Sequence, residues 1–243
     1  MDPRRVGPHP DQPQPGRPPG PPREFAESDG ADAERAVAAA AAALPAWRAL
    51  GPIRRAAHLT ALGRELADHE AEFTEAITRE QGKLRTEARA EVARARAVLE
   101  FTAGQARLLG GVTAPAEEDR TFAYTFRRPL GVVGLVSPWN FPLAIPVWKV
   151  APALLSGCTA VLKPSPLTPL TAALLTDAAR RAGVPDGVLN LVQGDAAAGA
   201  ALVAHPQVAG VSFTGSLAVG TAIHTAGAPA CCAPSSNSAG RTR

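Results

Sequence analysis

The chain contains little cysteine, with three residues among 243. Cys231 and Cys232 are adjacent near the end of the sequence, and Cys158 stands alone in an apolar stretch. Adjacent or isolated cysteines do not provide the spaced set from which a disulfide framework is built. The composition argues against a small disulfide-bonded secreted domain, so we expect a cytoplasmic protein. We assign no metal-binding residues.

Long apolar runs and clustered charge are also missing. No stretch approaches the roughly 20 consecutive apolar residues of a membrane-spanning helix. The arginines near the N-terminus are not followed by an apolar segment, so no secretory signal is predicted. The formal net charge is only +3, and the arginines are spread along the chain. We therefore expect neither a membrane nor a nucleic acid as a partner.

The first part of the chain divides into a segment poor in apolar residues and a helical region. Residues 1–24 are rich in Pro, Gly and Arg and are predicted to be disordered, because they cannot bury enough surface to offset their ordering entropy. Residues 25–120 show helical periodicity, and the first helix is predicted over residues 32–50, up to a break at Leu50-Gly51-Pro52. An apolar stripe predicts one helix over residues 53–83; its members are Leu59, Leu62, Leu66, Phe73 and Ile77.

A third helix is predicted over residues 84–109. Glu87 and Glu91 lie one turn from arginines in this stretch. Acidic and basic residues at that spacing usually form exposed ion pairs. We interpret the helices of residues 25–120 as scaffold with a solvated charged face.

The remainder of the chain alternates between short apolar strands and helices. Residues 121–128 alternate like a strand, and four later strand candidates follow: GVVGLVS, TAVLKP, GVLNLVQG and VAGVSFTG. Strands that alternate with helices predict an α/β fold with a doubly wound, Rossmann-like parallel sheet, here over residues 121–228. Ligands bind beyond the carboxyl ends of such strands. The relevant loops are residues 137–142, 163–166, 193–195 and 214–216.

The first of these loops reads SPWNFP. Pro138 and Pro142 restrict the backbone on both sides of Trp139, Asn140 and Phe141. A rigidly held Asn140 amide can donate to an oxyanion without reorganising. Equally, the asparagine can serve a turn by bonding only to nearby backbone groups. The loop alone does not decide between the two.

Two further loops carry groups that suit a nucleotide. Lys163 ends a strand, where its ammonium can reach a ribose or phosphate, although a lone lysine is more often simply solvated. Gly215 and Ser216 stand where a helix begins after a strand, and free amides at such a position bind anions. No GxGxxG follows the first strand, so the usual dinucleotide fingerprint is not present.

Taken together, the motifs resemble one family. PLGVVGLVSPWNFPLAIPVWKVAPAL, TAVLKPSPLTPLTA, GVPDGVLNLVQGD and HPQVAGVSFTGSLAVG occur in this order, and ALPAW and EQGKLRTEARAEV precede them. From about Ala26 to about Ala226 the chain resembles the aldehyde dehydrogenase superfamily, whose members oxidise aldehydes to acids with NAD(P). The resemblance implies an aldehyde substrate. It also implies a homo-oligomer for intact members, which we do not expect this chain to form.

The resemblance implies roles for loop residues. Asn140 is similar to the family's side-chain oxyanion donor. The implied cofactor contacts are Val136, Ser137, Pro138, Trp139, Lys163, Ser165, Gly194, Gly215 and Ser216. NAD-preferring members often have Glu three residues after the lysine, where this chain has Pro166. Proline cannot bond to ribose hydroxyls, so the choice between NAD and NADP stays open. Cys158, before an interior strand, is interpreted as a packed, inert thiol.

The last residues depart from the family. Its members follow FTGS with a helix and a strand ending in LELGG, whose Glu is the general base, whereas residues 229–243 read PACCAPSSNSAGRTR. If Ser235–Gly240 are encoded AGC TCG AAC TCG GCG GGC, the shifted frame gives CTC GAA CTC GGC GGG, which is LELGG. We therefore predict a frameshifted, non-native tail. The chain would then lack the last strand of the sheet, the general base and the catalytic cysteine, and be inactive. Two alternatives are a residual dinucleotide-binding fragment and a fragment that joins intact homologues.

Overall fold

The computed structural model describes residues 25, 27–227 and 233–238. The predicted disordered segment 1–24 therefore lies outside the described residues, as do Cys231 and Cys232. Of the predicted tail, residues 229–243, only the backbone of 233–238 is described.

Four helices form the first part of the described chain. They are α1 (Gly30–Ala49), α2 (Gly51–Asp68), α3 (Glu70–Gln81) and α4 (Arg85–Gly104), and a short 3-10 helix follows at Gln105–Leu108. The Asp29 carboxylate accepts hydrogen bonds from the first amides of α1, which fixes where that helix begins. The predicted break before Pro52 is confirmed, because α1 ends at Ala49 and α2 begins at Gly51.

The single helix predicted over residues 53–83 is wrong, because His69 separates α2 from α3. The Glu65 carbonyl accepts hydrogen bonds from both the backbone N–H and the ring Nδ1 of His69, at 3.1 and 3.0 Å. A side chain that bonds to the preceding turn in this way competes with the regular helical ladder. The apolar stripe itself is confirmed: all five of its residues are fully buried.

No single helix among the described residues is both long and apolar enough to cross a membrane. Helices α1 and α2 meet that criterion only as a pair, and they are bent by 115° with respect to each other. Val37 on α1 and Leu59 on α2 are fully buried within the protein.

The predicted α/β fold with a parallel sheet is confirmed. After a small antiparallel pair, β1 (Thr113–Ala114) and β2 (Ala123–Tyr124), five parallel strands form a sheet in the order β5-β4-β3-β6-β7. Their bounds are β3 (Val132–Val136), β4 (Thr159–Lys163), β5 (Leu189–Leu191), β6 (Val208–Gly215) and β7 (Ala233–Ser238). The intervening helices are α5 (Ala144–Ser156), α6 (Pro169–Arg181), α7 (Ala196–Ala204) and α8 (Leu217–Gly227). The strand predicted over residues 121–128 is shorter than expected.

The expectation that the sheet lacks its last strand is also wrong. Strand β7 pairs in parallel with β6 from Gly210↔Ala233 to Gly215↔Ser238. It lies inside the segment predicted to be non-native. Parallel pairing uses backbone N–H and C=O groups, which nearly every residue carries, so a segment without apolar periodicity can still complete a sheet edge.

The two faces of the sheet are covered by different helices. Val133 and Leu135 on β3 belong to a core shared with α2 to α6. Val132 faces the other way, into a second core with Val37 of α1 and Leu202 of α7. Because side chains alternate along a strand, one short strand contributes to both cores. The predicted boundary near residue 120 stays a prediction; α1 packs directly on the sheet.

Candidate functional site

The order of the strands creates a crevice between β3 and β6. From β3 the chain proceeds to β4 and β5 on one side, and it then returns to place β6 on the other side of β3. In a doubly wound sheet the reversal point leaves a crevice at the carboxyl ends of the two central strands. Val136 at the end of β3 pairs with Lys163 and with Phe213. The loops 137–142 and 214–216 therefore border this crevice.

The loop after β3 combines a buried hydroxyl with exposed side chains. The Ser137 amide donates to the Lys163 carbonyl at 3.2 Å. The Ser137 hydroxyl is buried and has no hydrogen-bond partner among the described residues. Trp139 is 48% exposed, and Asn140 is exposed as well. The Asn140 side chain makes no hydrogen bond within the described chain, which disfavours its interpretation as a turn residue that serves only the backbone.

Lys83, which lies between α3 and α4, contacts the loop 137–142. Its Nζ donates to the Asn140 carbonyl at 2.8 Å and lies 3.7 Å from the centre of the Phe141 ring. The same ammonium pairs with the Glu91 carboxylate at 2.5 Å. The N-terminal helices thus contact the loop directly.

Glu91 also fixes the beginning of α5. Its second oxygen accepts hydrogen bonds from the amides of Leu143 and Ala144, at 2.9 and 3.1 Å. Leucine cannot cap a helix with its own side chain, so the carboxylate of a distant helix supplies the cap. A negative charge at a helix N-terminus is also favoured by the helix dipole.

The prediction that Glu87 and Glu91 form exposed ion pairs with arginines is therefore wrong. Glu91 is only 3% exposed and pairs with Lys83. Glu87 accepts a hydrogen bond from the Leu84 amide at 3.1 Å and so caps the start of α4. The helical spacing could have predicted that Glu91 is buried, because Glu91 falls on the buried face of α4. That face is formed by Ala88, Val92, Ala95 and Leu99.

Lys163 is not the solvated lysine of the alternative interpretation. Its side chain is buried, and its stem lies close to α7, where a Cβ added at Gly199 would be 3.5 Å from Lys163 Cδ. Its Nζ donates to the Pro164 carbonyl at 3.2 Å. Burial lowers the pKa of Lys163, and the Asp195 carboxylate partly opposes this shift. The ammonium therefore lies at the carboxyl end of β4 on the α7 face.

Residues of the loops 163–166 and 193–195, which the sequence predicts to contact the cofactor, make contacts within their own chain. The Ser165 hydroxyl accepts a hydrogen bond from the Leu167 amide at 3.3 Å, and Pro166 is exposed. Gly194 has a φ of +121°, and a Cβ there would be 2.7 Å from the Ser28 carbonyl oxygen. The close approach that Gly194 permits in this structure is to the backbone of its own chain.

The helices that follow the strands differ in how their N-termini are occupied. Glu91 caps α5, and Glu80 caps α6 by accepting hydrogen bonds from the Leu170 and Thr171 amides. Asp195 is the N-cap residue of α7, and its charge repels an anion. At the start of α8, Ser216 accepts a weak bond from the Val219 amide at 3.4 Å, and no carboxylate within the described chain caps it. Among the four helices that follow strands of the sheet, α8 therefore has the N-terminus best suited to an anion.

Lys149 is a partly buried residue of α5 whose side chain contacts β6. Lys149 Nζ donates to the Ser212 hydroxyl at 2.9 Å. Burial lowers the pKa of Lys149 to about 8. Lys149 therefore loses its positive charge at a lower pH than an exposed lysine does.

Cys158 lies far from the crevice. It is buried and precedes β4, whereas the site loops follow the strands. The five residues of β4 separate it from the carboxyl edge by roughly 16 Å at the usual rise per residue. The expected burial of this thiol is confirmed.

Comparison with known proteins identifies the family to which these features belong. The model of the aldehyde dehydrogenase family matches residues 21–240. An alpha-ketoglutaric semialdehyde dehydrogenase of Bacillus subtilis is 43% identical over 193 residues, which are 79% of this chain and 40% of that protein. An NADP(+) succinate-semialdehyde dehydrogenase of Escherichia coli is 42% identical, with the same coverage.

Solved structures agree. An NADP-dependent enzyme of Escherichia coli superposes with a TM-score of 0.87 at 36% identity, over 89% of this chain and 45% of that one. Betaine aldehyde dehydrogenase of Staphylococcus aureus, in complex with NAD+, gives 0.85 at 31% identity, over 88% and 43%. The chain thus spans less than half the length of these relatives.

Proposed function

The chain belongs to the aldehyde dehydrogenase family, and on this premise we propose that its sheet binds the dinucleotide of an NAD(P)-dependent aldehyde oxidation. The observation that carries the proposal is the start of α8, which Ser216 caps only weakly and which lies beside the crevice between β3 and β6. The residues around this crevice would hold the dinucleotide, which would supply the hydride acceptor for the oxidation. The buried Ser137 hydroxyl, which follows β3 at the border of the same crevice and has no partner within the described chain, also supports a polar ligand there.

Each loop has a part in this proposal. The amides around Gly215 and Ser216 bind the pyrophosphate, and Lys163 contacts the adenosine ribose. The segment Val136–Trp139 forms the wall beside the nicotinamide. The Asn140 side-chain N–H donates to the substrate oxygen as negative charge develops on it.

A charge at the start of α8 tests the binding site. We expect titration of the chain with NADH or NADPH, followed by nucleotide fluorescence, to give saturable binding. S216E places a carboxylate where the pyrophosphate would lie and should abolish binding. T221E adds the same charge one turn further along the exposed face of α8 and should bind nearly as the wild type does. Absence of wild-type binding at millimolar nucleotide would remove the proposal.

We propose that both cofactors bind. Pro166 is exposed and offers no group that would accept from the ribose or repel a 2′-phosphate. The similar proteins include an NADP(+) enzyme and one solved with NAD+. Affinities for NADH and NADPH should therefore agree within about tenfold, or about 1.4 kcal/mol. P166E should favour NADH over NADPH.

We further propose that the 243-residue chain does not oxidise aldehydes by itself. Cys158 lies at the opposite edge of the sheet from the crevice, so its thiol cannot attack an aldehyde placed beside Asn140. We also propose that a reading-frame slip near residues 227–230 accounts for the altered motif. Propionaldehyde-dependent formation of NADH or NADPH above a no-protein blank would overturn the first proposal. A nucleotide sequence that does not encode LELGG in a shifted frame would overturn the second.

An association role is a second candidate. The rings of Phe122, Tyr124 and Phe126 form a row along the β2 segment, with centroid separations of 5.6 and 6.0 Å. All three are exposed, by 74, 59 and 54% respectively. Contiguous exposed aromatics mark protein contact surfaces. We propose, contrary to the expectation from the sequence, that this row joins copies of the chain to each other.

A further inference from the structure

We propose that Lys83 and Glu91 are positioning residues for the loop 137–142. The N-terminal helices, and not the sheet alone, then set the conformation of Trp139 and Asn140. The consequence for nucleotide affinity rests on the proposed function, whereas the consequence for the loop does not.

The Lys83 ammonium makes three contacts. A lysine ammonium has three N–H donors and no acceptor. Lys83 directs two of them to the Asn140 carbonyl and the Glu91 carboxylate and places its charge over the Phe141 ring. Its side chain is only 12% exposed, so water competes little for these donors. A cation over an aromatic face is attractive, and more so when it is desolvated.

Glu91 stabilises both ends of the segment 140–144. One oxygen holds Lys83, which bonds to Asn140 at the start of the segment; the other accepts from the amides of Leu143 and Ala144 at its end. A carboxylate this deeply buried is stable only when its charge is paired and its lone pairs are used. Displacement of the loop would break both sets of contacts at once.

The prolines of the loop do not provide this anchoring. Pro138 and Pro142 restrict their own φ angles and those of the residues before them. Local restriction leaves open where the loop lies with respect to the helices. The contacts of Lys83 fix the position of the loop with respect to the helices, because Lys83 is 57 residues away from Asn140 in the sequence.

Trp139 provides a readout that does not depend on any ligand. Trp47 is 1% exposed and therefore shielded from acrylamide, so W148F leaves Trp139 as the only exposed indole within the described chain. In this background K83M should increase the acrylamide quenching constant about twofold, because Trp139 is now 48% exposed and gains access when the loop opens. R85M is the matched control: Arg85 forms an exposed ion pair with Glu75 and none of its recorded contacts is with the loop.

A second variant, F141L, keeps the proposal testable if K83M does not fold. F141L removes the ring below the ammonium but leaves the Lys83–Glu91 pair intact, and Phe141 is itself exposed. We expect F141L to increase quenching in the same direction as K83M, but less. K83R, which keeps the charge, should return quenching towards the wild-type value. Equal quenching in folded K83M, F141L and R85M, whatever their melting temperatures, would overturn the proposal.

Nucleotide binding adds a separate arm. K83M should weaken NADH binding about fivefold, since the apparent affinity falls with the fraction of binding-competent loop. Failure of the wild type to bind NADH would remove the proposed function but leave the quenching result decisive. Increased quenching with unchanged NADH affinity would confine the role of Lys83 to the loop and would overturn its link to the nucleotide.

Discussion

Glu80 and Glu91 are charged residues that connect elements far apart in the sequence. Each accepts hydrogen bonds from the first amides of a helix that covers the sheet, Glu91 for α5 and Glu80 for α6. Neither N-cap residue of these helices, Leu143 or Thr168, forms a side-chain cap of its own. The carboxylates of Glu80 and Glu91 therefore cap these helices from distant positions in the sequence, where a neighbouring side chain usually provides the cap.

Removal of the Glu91 carboxylate should be costly. E91A leaves the Lys83 ammonium without its partner and the start of α5 without its cap. Breaking a buried pair in this way typically costs about 3–5 kcal/mol in the free energy of unfolding. E70A is the control, because Glu70 pairs with a largely exposed Arg89, and surface pairs contribute about 1 kcal/mol or less. Urea unfolding followed by circular dichroism measures both; equal losses would contradict the assigned burial.

Lys149 should make stability depend on alkaline pH. Its pKa is lowered to about 8 by burial, whereas the unfolded chain holds the proton to about pH 10.4. The folded state is thus favoured increasingly as the pH rises above 8, and this contribution is lost as the pH falls through 8. K149M removes it, so its stability relative to the wild type should fall by about 1 kcal/mol between about pH 7.5 and 9.5, after allowance for solvent screening. R79M should show no such trend; a pH-independent difference for K149M would refute the assignment.

At the scale of elements, two helices end at a left-handed glycine in different surroundings. Gly157 follows α5 with a φ of +94°, and Gly82 follows α3 with a φ of +85°. A Cβ at Gly157 would lie 3.0 Å from Pro129 and 3.1 Å from the Arg55 guanidinium carbon, whereas one at Gly82 meets nothing within 4 Å. The two positions therefore share the backbone strain of a substitution but not the crowding.

Alanine at the two positions should separate these effects. G82A should cost about 1–2 kcal/mol from left-handed strain alone. G157A should cost a further 1 kcal/mol or more, roughly, because Pro129 and the Arg55 guanidinium, which bonds to the Leu155 carbonyl at 3.0 Å, would both have to shift by a few tenths of an ångström. Thermal unfolding at one pH compares the two variants. If G157A and G82A lose the same stability, the crowding at Arg55 has no energetic weight.

The elements show which features local sequence can predict. The stripe from Leu59 to Ile77 and the break at Gly51 follow from periodicity and from backbone chemistry, so both were predictable. Periodicity does not report the end of α2 at His69, where the backbone leaves the helical region and the ring also bonds to the Glu65 carbonyl. Glu91 was missed because its partner Lys83 and the amides it caps come from outside its own helix. The loops around the crevice were predictable in position, since strand ends fix them, but the contact from Lys83 was not.

At the scale of the whole molecule, the sheet joins the N-terminal helices into one packed body. The core on one face extends from β3 through α5 and α6 to α2, α3 and α4, and α1 packs against the other face. Strand β7 covers one edge of β6 through its backbone. The aromatic row at Phe122, Tyr124 and Phe126 contributes to neither of these cores.

Association of the chain should depend on this aromatic row. If the row joins copies, F122S/Y124S/F126S should sediment as a 25.0 kDa monomer at concentrations where the wild type forms larger species. The control I53S/L84S also removes exposed apolar side chains, 54 and 68% exposed, but from the helical region, and should associate as the wild type does. Sedimentation velocity over a range of concentrations distinguishes the two surfaces. Because the substituted side chains are exposed, the variants should retain the wild-type melting temperature within a few degrees, roughly. Association that persists in the triple variant, or that disappears equally in the control, would show that general apolar exposure and not this row drives it.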